Sequence, residues 1–227
     1  MRVPPTGIIV AAAGEGRRLG SKLPKALVPV AGLPLFLHSV RTFSGLPFVR
    51  EIVLVLPGEW IDRVRERYGP ELSRRRVRAM VPGGARRQDS VREGLEATTT
   101  PLVLVHDAAR PLVRPEAVRE VVLAAAKHGA AVLAAPAVDT VKIVDDRGRV
   151  VETPDRSRVW LAQTPQGFRR RVLLTAYRRN GGREATDDVQ LVERTGGKVV
   201  VVPSHYANFK VTNPEDLARA KKLLDKR

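Results

Sequence analysis

A glycine-rich stretch that carries four cations is the part of this sequence best suited to chemistry. It has the sequence AAAGEGRRLGSKLPKALVPV over residues 11–30, and its cations are Arg17, Arg18, Lys22 and Lys25. Small residues at 11–14 let a ligand approach the backbone closely, and the backbone N–H groups can surround an anion. Cations beside such a cradle suit a phosphorus centre on which negative charge develops. The stretch therefore predicts a phosphate site at which a phosphoryl or nucleotidyl group is transferred.

The spacing of the glycines excludes two common phosphate motifs. A P-loop requires a Lys-Ser or Lys-Thr pair after its last glycine, and no such pair follows here. The dinucleotide fingerprint requires G-x-G-x-x-G, whereas Gly14, Gly16 and Gly20 span one residue too many. A pyrophosphate that is only held needs backbone amides and a helix terminus. The adjacent arginines therefore indicate a loop that acts on the reacting phosphate. The alternative for one of the two arginines is a solvated position on the surface of the loop.

Short apolar runs alternate with helix-like segments along most of the chain. The predicted strands are 7–12, 51–56, 78–81, 102–106, 131–135 and 198–202. The predicted helices are 35–46, 59–68, 87–97, 115–128, 170–179, 187–194 and 214–224. Near-continuous apolar strands separated by helices predict an α/β fold, with a Rossmann-like, mainly parallel sheet covered by helices on both faces. Ligands bind at the carboxyl ends of the strands in such a sheet, which is where the glycine-rich loop begins.

One stretch, residues 135–168, breaks this alternation. Within it, VKIV and RVVET flank DDRG, a turn signal between two strand-like runs. We predict a single domain over residues 1–227 from which a β-hairpin arm protrudes at about 137–158. Because an exposed hairpin is marginally stable by itself, we expect two copies of the chain to exchange arms in a homodimer. The alternative is an arm that folds back on its own domain.

The composition restricts the classes of function. The chain has no cysteine, which excludes disulfides, thiolate metal sites and thiol nucleophiles. It has no apolar run of membrane-spanning length and no signal-peptide pattern, so we expect a cytoplasmic protein without a membrane partner. The net charge of +16 favours polyanionic partners. However, the arginines are scattered and only 4% of residues are aromatic, so we expect no specific nucleic-acid partner. A basic nucleic-acid-binding module is the alternative function from another class.

Further motifs follow the glycine-rich loop in a fixed order. They are GGARRQDSVREGL (83–95), VLVHDAARP (103–111), AAPAVDTVK (134–142), VWLAQTPQGF (159–168), ATDD (185–188) and ANFKVTNPEDL (207–217). The loop itself resembles the G-x-G-x-R-x(n)-P-K signature of nucleotidyltransferases that make NDP-sugars. The ordered set covers nearly the whole chain and resembles the 2-C-methyl-D-erythritol 4-phosphate cytidylyltransferase family.

This resemblance implies a CTP-dependent enzyme of non-mevalonate isoprenoid biosynthesis. The phosphate of methylerythritol 4-phosphate attacks the α-phosphorus of CTP, which gives 4-diphosphocytidyl-2-C-methyl-D-erythritol and releases pyrophosphate. The nucleophile is already an anion, so positioning and electrostatic stabilisation are what the protein has to supply. The implied cofactor is Mg²⁺ or another divalent cation, held mainly by the CTP phosphates. Ribitol 5-phosphate cytidylyltransferases share much of this motif set, so ribitol 5-phosphate is the alternative acceptor.

The resemblance also implies roles for individual residues at the nucleotide. Arg18 and Lys25 match the cations that stabilise the transition state and bind CTP. Four residues match the family positions whose backbone lines CTP: Ala12, Ala13, Gly14 and Gly16. Two more, Gly84 and Ser90, match family positions near the cytosine. Ala85 departs from the pattern, because some family members carry an acid there.

A second set of residues matches contacts to the polyol phosphate. These residues are Thr140, Arg156, Thr186 and Lys210, of which Arg156 and Lys210 count as catalytic. In the family, the arm carries the residues that match Thr140 and Arg156 into the other subunit's site. A bidentate guanidinium suits a phosphate monoester.

Three of the polar residues considered for the site have more than one interpretation from the sequence. Asp107, at the end of an apolar strand, either accepts a polyol hydroxyl, lies near the magnesium ion as a metal ligand, or caps the backbone. Arg110 either contacts the polyol phosphate or only braces its loop, and Thr186 either contacts phosphate or caps the following helix. His106 has no second histidine or carboxylate at metal-ligand spacing, so we interpret it as structural.

Overall fold

The computed structural model describes residues 2–14, 16, 19–21 and 23–226. Its strands are β1 (Thr6–Ala11), β2 (Pro29–Val30), β3 (Leu33–Pro34), β4 (Val49–Leu56), β5 (Val77–Pro82), β6 (Leu102–Asp107), β7 (Ala130–Pro136), β8 (Ile143–Val144), β9 (Val150–Glu152), β10 (Trp160–Arg169) and β11 (Val200–Pro203). Its α-helices are α1 (Leu35–Ser44), α2 (Ile61–Arg74), α3 (Arg87–Ala97), α4 (Pro115–His128), α5 (Arg170–Arg179), α6 (Asp188–Arg194) and α7 (Pro214–Leu224).

A seven-stranded sheet in the order β11–β7–β10–β6–β1–β4–β5 forms the centre of the molecule. The strand β1 lies between β4 and β6 and runs parallel to both. Its side chains alternate, so Ile8 and Val10 enter one hydrophobic cluster whereas Ile9 enters the other. Because both faces are covered, β1 has no polar side chain after Thr6, which is why the sequence signals it so clearly.

Helices cover both faces of this sheet, as predicted. Apolar residues of α1, α2 and α4 pack in the first cluster, and those of α3, α5 and α6 pack in the second. The helix α7 begins where its sequence predicts, since the Asn213 side chain accepts a hydrogen bond from the Asp216 N–H over 2.8 Å. The predicted α/β fold with a mainly parallel sheet is therefore confirmed.

The strand β10 is the element that the sequence analysis did not separate from the arm. It runs antiparallel between β6 and β7 and completes the sheet. Its buried segment includes Gln163, Thr164 and Gln166. These polar residues at buried positions remove both the continuous apolar run and the simple alternation that identify strands.

The hairpin of β8 and β9 lies within the stretch predicted as an arm. The two strands pair antiparallel to each other and not with the seven-stranded sheet. Their turn is the predicted DDRG, closed by a 2.9 Å hydrogen bond from the Gly148 N–H to the Asp145 carbonyl. Gly148 has a φ of 76°, a backbone conformation that glycine adopts without steric cost.

Helix α2 differs from its predicted bounds of 59–68. It begins at Ile61 and continues through Pro70 to Arg74. Proline removes one backbone donor, which weakens a helix at that point without always ending it. No helix in the part of the chain that the structure describes has the length and apolar surface that a membrane span requires.

We predict that Gly94→Ala destabilises the protein by about 1–3 kcal/mol, although alanine is the better helix former. A Cβ atom at Gly94 of α3 would lie 2.5 Å from Ile9 Cγ2 and 3.0 Å from Val55 Cγ2, so the helix would have to move off the sheet. Urea denaturation followed by circular dichroism measures the change. The control is Glu96→Ala on the exposed side of α3, which should stay within about 0.5 kcal/mol of wild type. Equal stabilities for the two variants would contradict the prediction.

Candidate functional site

A cavity of about 600 Å³ lies at the carboxyl ends of β1 and β6. The two strands are parallel neighbours in which Ala11 pairs with Asp107, so the loop after β1 and the carboxylate after β6 meet at the same edge. Of the residues predicted for CTP, the cavity is lined by Ala12, Ala13, Gly14, Lys25, Gly84 and Ser90. Of those predicted for the polyol phosphate, it is lined by Asp107 and Lys210.

The glycine-rich loop folds back on itself after β1. The Lys25 N–H donates a hydrogen bond to the Gly14 carbonyl over 3.2 Å. Gly16 has a φ of 73°, and a Cβ there would lie 2.6 Å from Lys25 Cβ. Gly16 therefore closes the loop behind Lys25 and is not one of the residues that line the cavity, in contrast to its predicted position along CTP. The predicted catalytic residue Arg18 lies outside the described residues, as do Arg17 and Lys22.

The loop before α3 packs tightly against the glycine-rich loop. A Cβ at Gly83 would lie 2.3 Å from Ala13 Cβ, and one at Gly84 would lie 2.5 Å from Asp89 Cβ. The Ser90 hydroxyl accepts a hydrogen bond from the Gly84 N–H over 3.1 Å. Only glycine fits at 83 and 84, and Ser90 holds the loop in place from the first turn of α3. The cavity wall near the predicted base site is thus rigidly built.

The start of α3 is also attached to the segment that precedes α6. Arg86 makes a bidentate pair with Asp89, with distances of 2.8 Å to each carboxylate oxygen, and donates to the Gly182 carbonyl over 2.8 Å. The buried Gln88 side chain accepts from the Ala185 N–H over 2.8 Å and donates to the Arg183 carbonyl. The cavity wall at the start of α3 is therefore held in place from outside by several hydrogen bonds to residues 182–185.

Asp107 is a buried carboxylate with two cationic partners. Its Oδ2 accepts from Lys210 Nζ over 2.8 Å, and its Oδ1 accepts from Arg87 Nε over 3.1 Å. Burial alone would raise the pKa of Asp107, but the charges of Arg87 and Lys210 hold this pKa well below its usual range. Asp107 is therefore ionised at neutral pH.

A chain of polar contacts continues from Arg87 into the protein interior. Arg87 Nη1 donates to Asp188 Oδ2 over 2.8 Å, and Asp188 is completely buried. The Tyr177 hydroxyl lies 2.9 Å from Asp188 Oδ1 and 3.0 Å from the Gln88 carbonyl oxygen. Burial and the charge of Asp188 raise the pKa of Tyr177, so the phenol stays protonated and can donate.

His106 is buried beneath Asp107 and has a structural role, as the sequence predicts. Its Nδ1 lies 3.1 Å from the Thr164 hydroxyl, and its Nε2 lies 3.1 Å from the Arg110 carbonyl. Thr164 in turn accepts from the Asp107 N–H over 3.0 Å. These contacts fit a neutral ring with its proton on Nε2. Burial lowers the pKa of His106 to about 4, which keeps the ring neutral.

Arg110 does not line the cavity. Its guanidinium is largely buried and donates from Nη1 to the Asn208 carbonyl over 2.7 Å. Its loop is thereby tied to the segment that leads to Lys210. Of the two interpretations, this geometry favours bracing over direct contact with the polyol phosphate.

The remaining predicted residues lie outside the cavity of this chain. Thr140 and Arg156 are exposed on the arm, where Arg156 donates to the Val138 carbonyl. Thr186 is exposed, and the helix cap that was one of its interpretations is Asp187, whose carboxylate accepts from the Gln190 N–H over 3.0 Å. The cap assignment for Thr186 is therefore wrong.

Arg87, Asp188 and Tyr177 are the site residues that the sequence analysis missed. The Arg-Arg pair at the predicted start of α3 and the second acid of ATDD were available signals. Tyr177 gives no such signal, because an aromatic residue at helical spacing resembles ordinary core. The contact between Tyr177 and Asp188 depends on how α5 and α6 pack.

Comparison with known proteins gives a consistent result over the full length of the chain. The family model of 2-C-methyl-D-erythritol 4-phosphate cytidylyltransferase (IspD) matches residues 6–226. A protein of that name from Syntrophus aciditrophicus is 41% identical over 222 residues, which are 96% of this chain and 95% of the relative. One from Pelotomaculum thermopropionicum is 43% identical over 224 residues, with coverage of 96% and 94%.

Solved structures resemble the chain equally well. The crystal structure of 4-diphosphocytidyl-2C-methyl-D-erythritol synthase from Anaerococcus prevotii has a TM-score of 0.85 at 31% identity and covers 99% of this chain and 100% of its own. That of 2-C-methyl-D-erythritol 4-phosphate cytidylyltransferase from Thermus thermophilus has a TM-score of 0.78 at 36% identity, with the same coverage.

We predict that His106 makes the protein less stable as the pH falls from about 6.5 to 4. The folded pKa lies below the ordinary value of 6.5, so the unfolded chain takes up a proton in this range that the folded protein does not. The loss is on the order of 3 kcal/mol. Urea denaturation at half-unit pH steps measures it. His106→Gln should flatten the pH dependence, and the exposed-residue control His128→Gln should keep it. Parallel curves for wild type and His106→Gln would overturn the prediction.

Proposed function

The chain belongs to the 2-C-methyl-D-erythritol 4-phosphate cytidylyltransferase family, and we propose that it carries out the family's reaction in the cavity beside Asp107. It is a cytidylyltransferase that transfers CMP from CTP to 2-C-methyl-D-erythritol 4-phosphate, a reaction of the MEP pathway of isoprenoid biosynthesis. The observation that carries the assignment to this cavity is that Lys25 and the Asp107–Lys210 pair line the same space.

The triphosphate of CTP is proposed to lie on the glycine-rich loop. Residues 12–14 line the cavity. The Ala12 N–H is bound to the Val55 carbonyl over 2.8 Å, so the N–H groups of Ala13 and Gly14 are the ones proposed to bind phosphate oxygens, as a nest does. Lys25, which lines the same wall, would stabilise the charge that develops on the α-phosphate and on the leaving pyrophosphate. Arg18 is proposed to share this role, on the basis of the motif alone.

The acceptor phosphate is proposed to bind at Lys210. This phosphate is already an anion at neutral pH, so the attack on CTP needs no general base. The cavity chemistry agrees, because the ionised Asp107 is engaged by two cations and the neutral His106 is buried beneath the site. The protein's contribution is then to position two anions and to offset their charge.

The cytosine is proposed to lie against the loop that contains Gly84 and Ser90. Both residues line the cavity, and both match family positions near the cytosine. Ala85 replaces the acid that some family members carry, so backbone groups of the loop would have to recognise the base edge.

Mg²⁺ is proposed as the cofactor, held mainly by the phosphates of CTP. Within the described ranges, no group of three or more His, Cys, Asp or Glu residues is arranged to hold a metal ion. Both carboxylate oxygens of Asp107 already accept hydrogen bonds from Arg87 and Lys210. This geometry argues against Asp107 as a direct ligand, which was one of its predicted roles. A bound metal would offset phosphate charge.

A homodimer formed through the arm is proposed on the basis of its exposed apolar surface. Among the residues that the structure describes, nine large hydrophobic side chains are exposed, and seven of them lie between residues 138 and 161. They are Val138, Ile143, Val144, Val150, Val151, Trp160 and Leu161. Exposed apolar side chains concentrated in one segment are typical of a protein interface. In such a dimer, Thr140 and Arg156 of one arm would reach the polyol phosphate at the partner's cavity.

The proposal also includes the domain organisation and the cellular location of the protein. A single nucleotidyltransferase domain over residues 1–227, with its arm at about 137–158, is supported by the family match over 6–226. A cytoplasmic location is supported by the substrate, because CTP is made and used inside cells.

We expect pyrophosphate release from CTP with 2-C-methyl-D-erythritol 4-phosphate, and at least tenfold lower kcat/KM with ribitol 5-phosphate or with ATP, GTP or UTP. A coupled pyrophosphate assay measures all of these. Lys25→Ala is the matched inactive control, with kcat lower by roughly a hundredfold or more, as is typical when one strong electrostatic stabiliser is removed. A preference for ribitol 5-phosphate would refute the acceptor assignment. An unchanged kcat in Lys25→Ala would refute the transition-state role of that lysine.

We further expect that a mixture of Arg156→Ala and Lys210→Ala proteins recovers activity that neither variant shows. If the arm serves the partner's cavity, a mixed dimer contains one site with both residues intact. The measurement is the acceptor-dependent rate after subunit exchange, which is verified with a tag on one variant. The double variant Arg156→Ala/Lys210→Ala mixed with Lys210→Ala is the control, since it offers no intact site. No recovery after verified exchange would show that the arm acts within its own chain.

A further inference from the structure

Two buried carboxylates share Arg87, an arginine that lines the cavity. Arg87 bridges Asp107, whose carboxylate reaches the cavity, and Asp188, which is completely buried. Each carboxylate uses one oxygen for Arg87 and the other for a different donor. For Asp107 this other donor is Lys210, and for Asp188 it is the Tyr177 hydroxyl. The four contacts form one continuous chain from the cavity to the protein interior.

The inner end of this chain joins three helices. Tyr177 belongs to α5, Asp188 begins α6, and the Tyr177 hydroxyl also lies 3.0 Å from the carbonyl oxygen of Gln88 in α3. Two backbone N–H groups at the start of α6 bind the Gln166 side chain of the central sheet, over 3.0 and 3.2 Å. Asp188 therefore has a fixed position relative to the sheet, and it can serve as an anchor.

The charges explain why an anchor is needed. An acceptor phosphate that binds Lys210 repels the Asp107 carboxylate that already holds this lysine. Arg87 counters this repulsion by holding Asp107 from its other oxygen. Arg87 is itself a cation that lines the cavity, so an incoming phosphate attracts it as well. A buried negative charge on its far side keeps Arg87 in place, and Asp188 supplies that charge.

We propose that Asp188 and Tyr177 are positioning residues for the acceptor phosphate. They fix Arg87, which in turn fixes the Asp107–Lys210 pair. Neither residue lines the cavity, so both act through other groups. The inference rests on the proposed role of Lys210 at the acceptor phosphate.

The test separates charge from shape at position 188. Asp188→Asn keeps the shape and removes the charge, whereas Asp188→Glu keeps the charge and adds a methylene group. We expect Asp188→Asn to lower kcat/KM for 2-C-methyl-D-erythritol 4-phosphate at least tenfold, with KM for CTP changed less than twofold. Asp188→Glu should retain more of this kcat/KM than Asp188→Asn. A purely structural role predicts the reverse order, because the extra methylene has to fit a buried site.

A second pair of variants tests the hydroxyl alone. Tyr177→Phe should lower the acceptor kcat/KM about threefold, again without a change in KM for CTP. The matched control is Tyr68→Phe on α2, which removes a tyrosine hydroxyl far from this chain of contacts and should leave both values unchanged. All rates are normalised to the folded fraction measured by circular dichroism. If Asp188→Asn does not fold, Tyr177→Phe decides the question, since it leaves every charge in place.

Three results would overturn the inference. They are an acceptor kcat/KM within twofold of wild type in both Asp188→Asn and Tyr177→Phe, an equal loss for CTP and acceptor, and a greater loss in Asp188→Glu than in Asp188→Asn. Lys210→Ala is measured in parallel. If it leaves the acceptor kcat/KM unchanged, the proposed role of Lys210 is wrong and the inference falls with it. If it lowers this value while Asp188→Asn does not, only the inference is wrong.

Discussion

Asp107 shares its two carboxylate oxygens between Arg87 and Lys210 at a depth where an unpaired charge would be strongly destabilising. The rest of the site is arranged around this constraint. Arg87 needs a second counter-ion, and Asp188 provides it. A buried histidine below Asp107 has to remain neutral, and His106 does so because burial lowers its pKa to about 4. The cavity therefore presents Arg87 and Lys210 to a ligand together with the Asp107 carboxylate that they neutralise, whereas Asp188 lies outside the cavity lining.

The sheet topology is what makes this arrangement possible. Parallel pairing of β1 and β6 brings the glycine-rich loop and Asp107 to one edge. The antiparallel strand β10 then inserts next to β6 and supplies Thr164, which binds the backbone of Asp107 and the ring of His106. A single antiparallel strand in a mainly parallel sheet thus contributes directly to the site, because its side chains reach the carboxyl end of β6.

The arm exposes apolar side chains to solvent, whereas the cavity is lined by charged and small residues. Its hairpin carries exposed apolar side chains such as Val144, Val150 and Val151, whereas the sheet buries its apolar residues on both faces. The cavity of one chain lacks the arm residues Thr140 and Arg156 that the family pattern assigns to the acceptor. Both facts are explained if the arm of a second copy covers apolar surface and completes the site. The proposed dimer would then be a condition for catalysis as well as for stability.

Elements whose signal is local could be predicted from the amino-acid sequence. The apolar run of β1, the cap at Asn213 and the DDRG turn depend on neighbouring residues, and the ordered motifs identify the family. Features that depend on contacts between distant segments became visible only in the folded protein. The strand β10 was not predicted because its buried residues are polar. The residue that caps α6 is Asp187 and not Thr186. The ion pair of Arg87 with Asp188 joins residues that are far apart in the chain. The pairing of two distant residues leaves no periodic or compositional pattern, because the sequence shows each residue alone and not the partner that the fold brings to it.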